Sequence, residues 1–172
     1  MSRNHIPVKI VPIELIVHLI NEYADATRAT AGETDDPYIT PDWTLAATAE
    51  RSDLIEVANE LHPIFAAPDR AVTLLNDLAD STGLHHRVDP AGSLIWIRPS
   101  GAGAVRAATT ASIIDFVTIQ GIKSLGTCNA DRCVDVYADR SQGRARMYCS
   151  DGCNNRSRAA RWRARHTNPL PG

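Results

Sequence analysis

Long apolar runs are missing from this 172-residue sequence. The nearest approach lies close to the N-terminus, where Lys9, Glu14 and His18 interrupt the apolar residues and two prolines break them early. That stretch is shorter than the roughly 20 apolar residues that a membrane-spanning helix needs, and no small-residue cleavage site follows it. The sequence therefore predicts a cytoplasmic protein, in which thiols stay reduced.

Catalytic motifs are also missing. The sequence contains no phosphate-binding loop, no dinucleotide-type glycine cluster and no HExxH pair. His85 and His86 are adjacent in a segment that we predict to be a strand, so their side chains would point to opposite faces and could not easily share a metal. We therefore predict that the protein is not an enzyme. An enzyme that uses a cavity of the N-terminal region is the alternative left open.

Charge and cysteine divide the chain at nearly the same point. Residues 1–121 hold eight Lys or Arg against sixteen Asp or Glu, a net charge of −8, and no cysteine. Residues 122–172 hold ten against four, a net charge of +6, and all four cysteines. We predict an acidic domain over 1–122 and a basic domain over 123–172, and the basic one is the candidate for binding a polyanion. Alternatively, the basic segment docks on the acidic one.

Hydrophobic periodicity predicts that the first domain is mainly helical. A first helix is expected over 12–26, followed by a polar loop over 27–41. Thr40 as N-cap and Pro41 at the first helical position predict a second helix, which would continue past Leu61 and end at Pro63 or Pro68.

A third helix is expected to follow a cap at Asp69 and to end at Gly83. Its expected inward residues are Val72, Leu75, Leu78 and Ala79. The turn sequence DPAG between two β-prone runs then predicts a hairpin over 84–98, and a fourth helix is expected over 102–122. The predicted fold class is mainly α, or α+β, with a small hairpin.

The four cysteines form two close pairs, Cys128-x4-Cys133 and Cys149-x3-Cys153, separated by fifteen residues. This spacing is typical of zinc fingers. A segment of about 40 residues with few aliphatic side chains cannot bury enough surface to fold alone, and a structural zinc site contributes about 10–16 kcal/mol. We predict one structural Zn²⁺, because four thiolates leave no open position. Two disulfides, four unrelated thiols and redox sensing are the alternatives.

Four thiolates around Zn²⁺ carry a formal charge of −2, which calls for nearby cations and N–H donors. Arg146, Arg156 and the first backbone N–H groups of the helix after Cys153 are the candidates for that role.

The residues around the cysteines carry a more specific pattern: YADRS at 137–141, RMYC at 146–149, CNNR at 153–156 and SRAARWRAR at 157–165. With the cysteines, this pattern resembles the bacterial CGNR zinc-finger family, with Asn154 in place of the family's glycine. The resemblance implies a treble-clef-like finger that ends in a basic helix, with Asp139 and Asn155 in structural roles. The segment VHLINEYAD, which contains Asn21, resembles the start of the family's ABATE-like N-terminal domain. A stress-response transcription regulator is the function implied.

The segment after Cys153 predicts a helix over 153–166, with arginines on one stripe and Trp162 at its edge. Alanines keep this helix slim, and guanidinium groups can grip phosphates and bind guanine edges, so the helix suits a DNA groove. A solvated charged face is the alternative. The predicted nucleic-acid-binding residues are Arg158, Arg161, Arg163 and Arg165.

These observations predict a transcription regulator that binds DNA as a homodimer, with the acidic domain supplying the dimer contacts. A small-molecule ligand of that domain, and RNA as the nucleic acid, are left open. The competing prediction is a zinc-stabilised module that holds an acidic protein such as a sigma factor. An exposed arginine face would favour DNA, whereas arginines paired with carboxylates would favour the protein partner.

Overall fold

The computed structural model describes residues 5–34, 43–100, 103–141 and 145–166. Within these ranges the helices are α1 (Ile13–Tyr23), α2 (Asp25–Ala31), α3 (Thr44–Ala47), α4 (Arg51–Ala66), α5 (Ala71–Thr82), α6 (Ala104–Gln120) and α7 (Asp151–His166). The strands are β1 (His5–Pro7), β2 (His85–Val88), β3 (Leu94–Pro99), β4 (Leu125–Thr127) and β5 (Val136–Ala138), and a 3-10 turn spans Ile122–Ser124. The predicted mainly helical class, with small antiparallel sheets, is confirmed.

The core lies where α1, α4 and α6 meet. Each helix presents apolar residues three and four positions apart, so that they fall on one side and are buried together. No described helix has both the length and the apolar content that a membrane crossing requires. The fully buried residues at this junction are Ile16, Leu19 and Ile20 of α1, Leu61, Ile64 and Phe65 of α4, and Ile113 of α6.

The single long helix predicted after position 40 is wrong, because the chain forms α3 and α4 with a break at 48–50. Thr48 turns its hydroxyl back to the carbonyl of Leu45 at 3.0 Å, and Glu50 has an extended backbone. Pro63 lies inside α4 and does not end it. The helix ends at Ala66 because Ala67, which precedes Pro68, leaves the helical region. The predicted cap at Thr40 and Pro41 lies outside the described residues.

The start of α5 also differs from the prediction. Arg70, not Asp69, precedes the helix, and no side chain caps it. Val72, predicted to face inward, is 56% exposed, because the buried face of α5 contains Ala71 and Leu75, which lie four positions apart. Gly83 ends the helix as predicted, in a left-handed conformation with φ 63°.

The predicted hairpin is confirmed as β2 and β3, which pair antiparallel with His86 opposite Trp96. Strand β1 adds to the other edge of β3 and was not predicted. The loop predicted over 27–41 is wrong in its first part, because α2 continues to Ala31. The hydroxyl of Thr27, which is buried, donates to the carbonyl of Ala24 at 2.7 Å and supports this short helix.

The N-terminal region that contains α1 to α6 forms the body of the protein, and the second antiparallel pair, β4 and β5, packs on it. Leu125 of β4 and Val136 of β5 are buried in the same core as α1 and α4. The cysteine-bearing segment therefore begins at strands that are packed against the body, and this packing sets the position of the cysteines.

Candidate metal centre

The sulfur atoms of Cys128, Cys133, Cys149 and Cys153 all lie within 4.8 Å of one another. The Cys133–Cys149 sulfurs are 3.7 Å apart, Cys149–Cys153 3.5 Å and Cys153–Cys133 3.8 Å. All four cysteines are free, so the disulfide alternative is not what the structure contains.

These separations fit one zinc ion. A tetrahedral site with Zn–S bonds of about 2.3 Å has sulfur–sulfur edges of about 3.8 Å, close to the three distances above. Four cysteines would complete the coordination of the ion, which is the arrangement of a structural site and not of a catalytic one. Buried Cys128, Cys153 and Ala130 form a small separate cluster, so the sulfurs hold together a part of the chain with little apolar core.

Cys128 and Cys133 lie in the turn that joins β4 to β5. The backbone N–H of Cys128 donates to the backbone carbonyl of Asp135 at 2.8 Å, and the N–H of Cys133 donates to the carbonyl of Ala130 at 3.2 Å. Arg132 has a φ of 57°, which lets the segment 128–133 curl back so that both sulfurs face the same point. This first pair is thus held by the hairpin.

Cys149 and Cys153 flank the start of α7. The hydroxyl of Ser150 accepts from the backbone N–H of Cys153 at 3.3 Å, in the manner of an N-cap. The helix begins at Asp151, two residues earlier than predicted, and it places Cys153 in its first turn. Both sulfurs therefore lie at the positive end of the helix, where negative charge is favoured.

The predicted charge-balancing residues differ in what they contact. Arg156 donates directly to the sulfur of Cys153 at 2.9 Å. Arg146 instead binds backbone carbonyls, with Nε donating to Tyr148 at 2.7 Å and Nη2 to Cys149, so it shapes the approach to the third cysteine. Asn155 is exposed on α7 and forms no hydrogen bond with a described residue, so no contact supports the structural role that the family resemblance implied for it.

Acidic groups also approach the sulfurs. The Cys149 thiol donates to the carboxylate of Asp135 at 3.3 Å. Burial raises the pKa of the Cys133 thiol to about 12, with the Asp135 charge adding to the rise. Burial also raises the pKa of the Cys149 thiol. Burial alone would raise the pKa of Cys128 too, but backbone N–H donors from Cys149 and Ala130 outweigh it, and that pKa is lowered.

Asp139 closes the loop that leads from β5 to Cys149. Its carboxylate accepts from the backbone N–H of Ser141 at 2.9 Å and of Arg146 at 2.8 Å. These hydrogen bonds lower the pKa of Asp139, with the contacts to Ser141 foremost. The structural role that the family resemblance implied for Asp139 is therefore this loop closure, away from the sulfurs themselves.

Tyr137 packs over Gly126, the residue opposite it in the β4–β5 pair. A Cβ at Gly126 would lie 2.7 Å from the ring, which only glycine avoids. The Tyr137 hydroxyl donates to the carbonyl of Arg146 at 2.7 Å, and the Arg146 guanidinium lies 5.4 Å from the ring centre. The strand pair thus reaches across to the segment that carries Cys149.

Asn21 joins α1 to β5, a contact that the sequence analysis did not predict. Its side-chain amide accepts from the Val136 N–H at 2.7 Å and donates to the Val136 carbonyl at 3.1 Å. The side chain therefore pairs with β5 as a neighbouring strand would. His62 of α4 adds a bond from Nε2 to the Val134 carbonyl at 3.1 Å. Nothing local in the sequence signals these pairs, which join residues far apart along the chain.

The arginine helix extends away from the body. In α7 every residue from 158 to 166 is exposed, and Cys153 is the one buried residue of this described helix. Arg158, Arg161, Trp162 and Arg165 border one shallow concavity, so the predicted stripe is formed. Among the described residues, no carboxylate pairs with Arg158, Arg161 or Arg165. Arg163, the other predicted contact, is exposed on the opposite side of the helix.

Residues 124–166 match the family model of the CGNR zinc finger. The C-terminal part of the chain is therefore similar to a CGNR zinc finger, as its residues indicated, and its four-cysteine cluster is a metal site suited to one structural zinc ion. The match does not extend to the N-terminal region, whose resemblance to an ABATE-like domain stays a prediction. No curated protein matches the chain.

Proposed function

We propose that the protein binds DNA through the exposed arginine face of α7 and acts as a transcription regulator. One observation carries the proposal: Arg158, Arg161 and Arg165 share a face that has no described carboxylate partner. Unpaired guanidinium groups on a slim helix can enter a groove and neutralise phosphates without first breaking internal ion pairs.

Charge elsewhere in the chain supports this proposal by contrast. Arg106 of the body is held by Glu56 and Glu60 at 2.7 Å each, and Arg140 of the finger pairs with Glu14 at 3.3 Å. Arg106 and Arg140 are thus engaged inside the molecule, whereas Arg158, Arg161 and Arg165 are available to an external anion. The competing proposal is a module that holds an acidic protein. Carboxylate-paired arginines on the stripe would favour it, and Arg158, Arg161 and Arg165 have no such pair among the described residues.

A single helix of this size limits the strength of binding. If the face neutralises about three to five phosphates, the logarithm of the binding constant falls with the logarithm of salt at a slope of about −3 to −4.5. We therefore propose that specific recognition uses two copies of the chain on two half-sites, with the acidic body providing the contact between copies.

The test is the binding of duplex DNA to the zinc-loaded full chain at 50 to 200 mM salt. The wild type should lose about a hundredfold in affinity over that range, and the triple variant Arg158→Gln/Arg161→Gln/Arg165→Gln should bind weakly with a slope flatter by about 2.7. The control is Lys9→Gln/Arg70→Gln/Arg87→Gln, which removes the same charge from exposed positions of the body and should bind as the wild type does.

Two results would contradict the proposal. One is wild-type affinity that does not change with salt. The other is equal loss of binding in both triple variants, which would mean that net charge alone, and not the α7 face, attracts the DNA. Ultracentrifugation with one and two half-sites tests the two-copy arrangement separately.

A further inference from the structure

Trp162 is an aromatic residue left in solvent among the arginines. It is 57% exposed on α7 and borders the same concavity as Arg158, Arg161 and Arg165. The other tryptophans are placed differently, since Trp43 is buried and the Trp96 indole donates to Asp115 at 2.8 Å. Exposing so much indole is unfavourable in water, so a partner that covers this ring would gain free energy.

The orientation of the ring is fixed by a neighbour on the same helix. The His166 ring stacks on Trp162 with centroids 4.4 Å apart and planes at 24°. The Nδ1 of His166 donates to the Trp162 carbonyl at 2.8 Å, which holds the imidazole in place. One face of the indole is thus covered, and its other face lies open beside guanidinium groups.

An open aromatic face next to phosphate-binding cations is the arrangement by which proteins hold unstacked bases. An intact duplex covers the faces of its bases and presents only their edges in the grooves. A side chain can also wedge between two base steps of a duplex, but such a ring needs both of its faces, and His166 covers one face of Trp162. The open face can therefore be covered by a base that has left the stack. A Trp side chain lying along a groove of intact duplex would bury little more than a thymine methyl group.

On the basis of the DNA binding proposed above, we propose that Trp162 stacks on an unpaired nucleobase while the arginines hold the adjacent phosphates. The preferred ligand is then a duplex that carries an unpaired or displaced base, in place of a fully paired one. Stacking of a base on an aromatic side chain contributes about 1–3 kcal/mol, which corresponds to roughly a 5- to 150-fold difference in affinity.

Three DNA probes of the same sequence test the role of Trp162: an intact duplex, a duplex with one bulged adenine, and a duplex with an abasic site at the bulge. The abasic probe keeps the backbone charge and the bend but removes the base. The wild type should bind the bulged adenine about tenfold or more tightly than the abasic bulge. Trp162→Ala should lose this preference, and Trp162→Phe should keep most of it.

The control is Met147→Ala, which removes an exposed apolar side chain of the finger away from the α7 face and should keep the preference. Equal wild-type affinity for the adenine and abasic bulges would overturn the role of Trp162, as would an unchanged preference in Trp162→Ala. The arginine triple variant separates the two proposals. If this variant binds all three probes more weakly, but the wild type does not distinguish the adenine bulge from the abasic bulge, only the stacking proposal fails. If the variant binds all three probes as tightly as the wild type does, the DNA-binding proposal fails as well.

Discussion

The body and the finger of this chain are stabilised in opposite ways. The body has a net charge of −8 and buries aliphatic side chains from three helices, and Arg28 and Arg106 form internal ion pairs. The finger is basic, and a cluster of four thiols takes the place of an apolar core. Its helix α7 is exposed except at Cys153 and a few half-buried residues. The comparison indicates that apolar burial holds one region and metal chelation the other, and that the β4–β5 pair joins them.

Removing zinc ligands should have the largest effect, and the effect should fall on the finger and not on the body. Cys149→Ser/Cys153→Ser leaves the body core intact but removes half of the sulfur cluster, and structural zinc sites contribute about 10–16 kcal/mol. We expect α7 to lose its order while the body still unfolds cooperatively. Hydrogen exchange by residue measures this, and simultaneous loss of protection in α1 and α4 would contradict the division. The control is Ser93→Ala, at an exposed position of the β2–β3 turn far along the chain from the cysteines.

The two hydrogen bonds between Asn21 and Val136 form a clamp between the body and β5, and removing this clamp should weaken the contact between the body and the finger. Asn21→Ala leaves the N–H and the carbonyl of Val136 without their side-chain partner, at a cost of about 1–3 kcal/mol. Chemical denaturation of the zinc-loaded chain measures the loss. The control is Asn155→Ala, at an exposed asparagine with no described bond, which should change stability little. Equal stability of the Asn21→Ala variant and the wild type would show that the clamp is not needed.

A methyl group at Gly126 should disturb the strand pair under Tyr137. Gly126→Ala places a Cβ 2.7 Å from the ring, and overpacking of this kind costs about 1–3 kcal/mol. Gly152→Ala is the matched control, because its Cβ would meet nothing closer than 3.7 Å and α7 should gain about 0.5–1 kcal/mol. Gly126→Ala should therefore lower the thermal unfolding temperature, and Gly152→Ala should raise it. A neutral Gly126→Ala variant would contradict the close packing.

The exposed ion pair between Arg140 and Glu14 should matter least. Both side chains are more than half exposed, so the pair is screened by solvent, and Glu14→Gln should cost less than about 1 kcal/mol. Arg140 also lies 5.7 Å from the centre of the Phe116 ring, so Arg140→Ala should cost more than Glu14→Gln. The two unfolding free energies check this order, and a larger loss for Glu14→Gln would reverse it.

Much of the finger could be predicted from sequence because its signals are local. The cysteine spacing predicted the cluster, and the segment after Cys153 predicted α7 to within two residues. Hydrophobic periodicity likewise placed the first helix, although it ends at Tyr23 and not at 26, because Ala24 has an extended backbone. In these cases the interacting residues lie within a few turns of one another, or the metal imposes their geometry.

The missed features depend on contacts between distant parts of the chain. The pairing of Asn21 with Val136 joins residues 115 positions apart, and strand β1 exists only because β3 offers an edge. The break between α3 and α4 coincides with a Thr48 hydroxyl that bonds back to the Leu45 carbonyl, and helix propensity does not predict whether such a bond forms. Asn155 was placed by family resemblance alone, and its solvent-facing position on α7 is not set by the motif.

The metal content of the full chain, purified under reducing conditions, tests the central claim most directly. The account predicts one zinc ion per chain, retained on dialysis and lost in Cys149→Ser/Cys153→Ser, together with loss of order in α7. A reduced wild-type chain that holds no zinc and yet keeps α7 as protected as the body helices would contradict it.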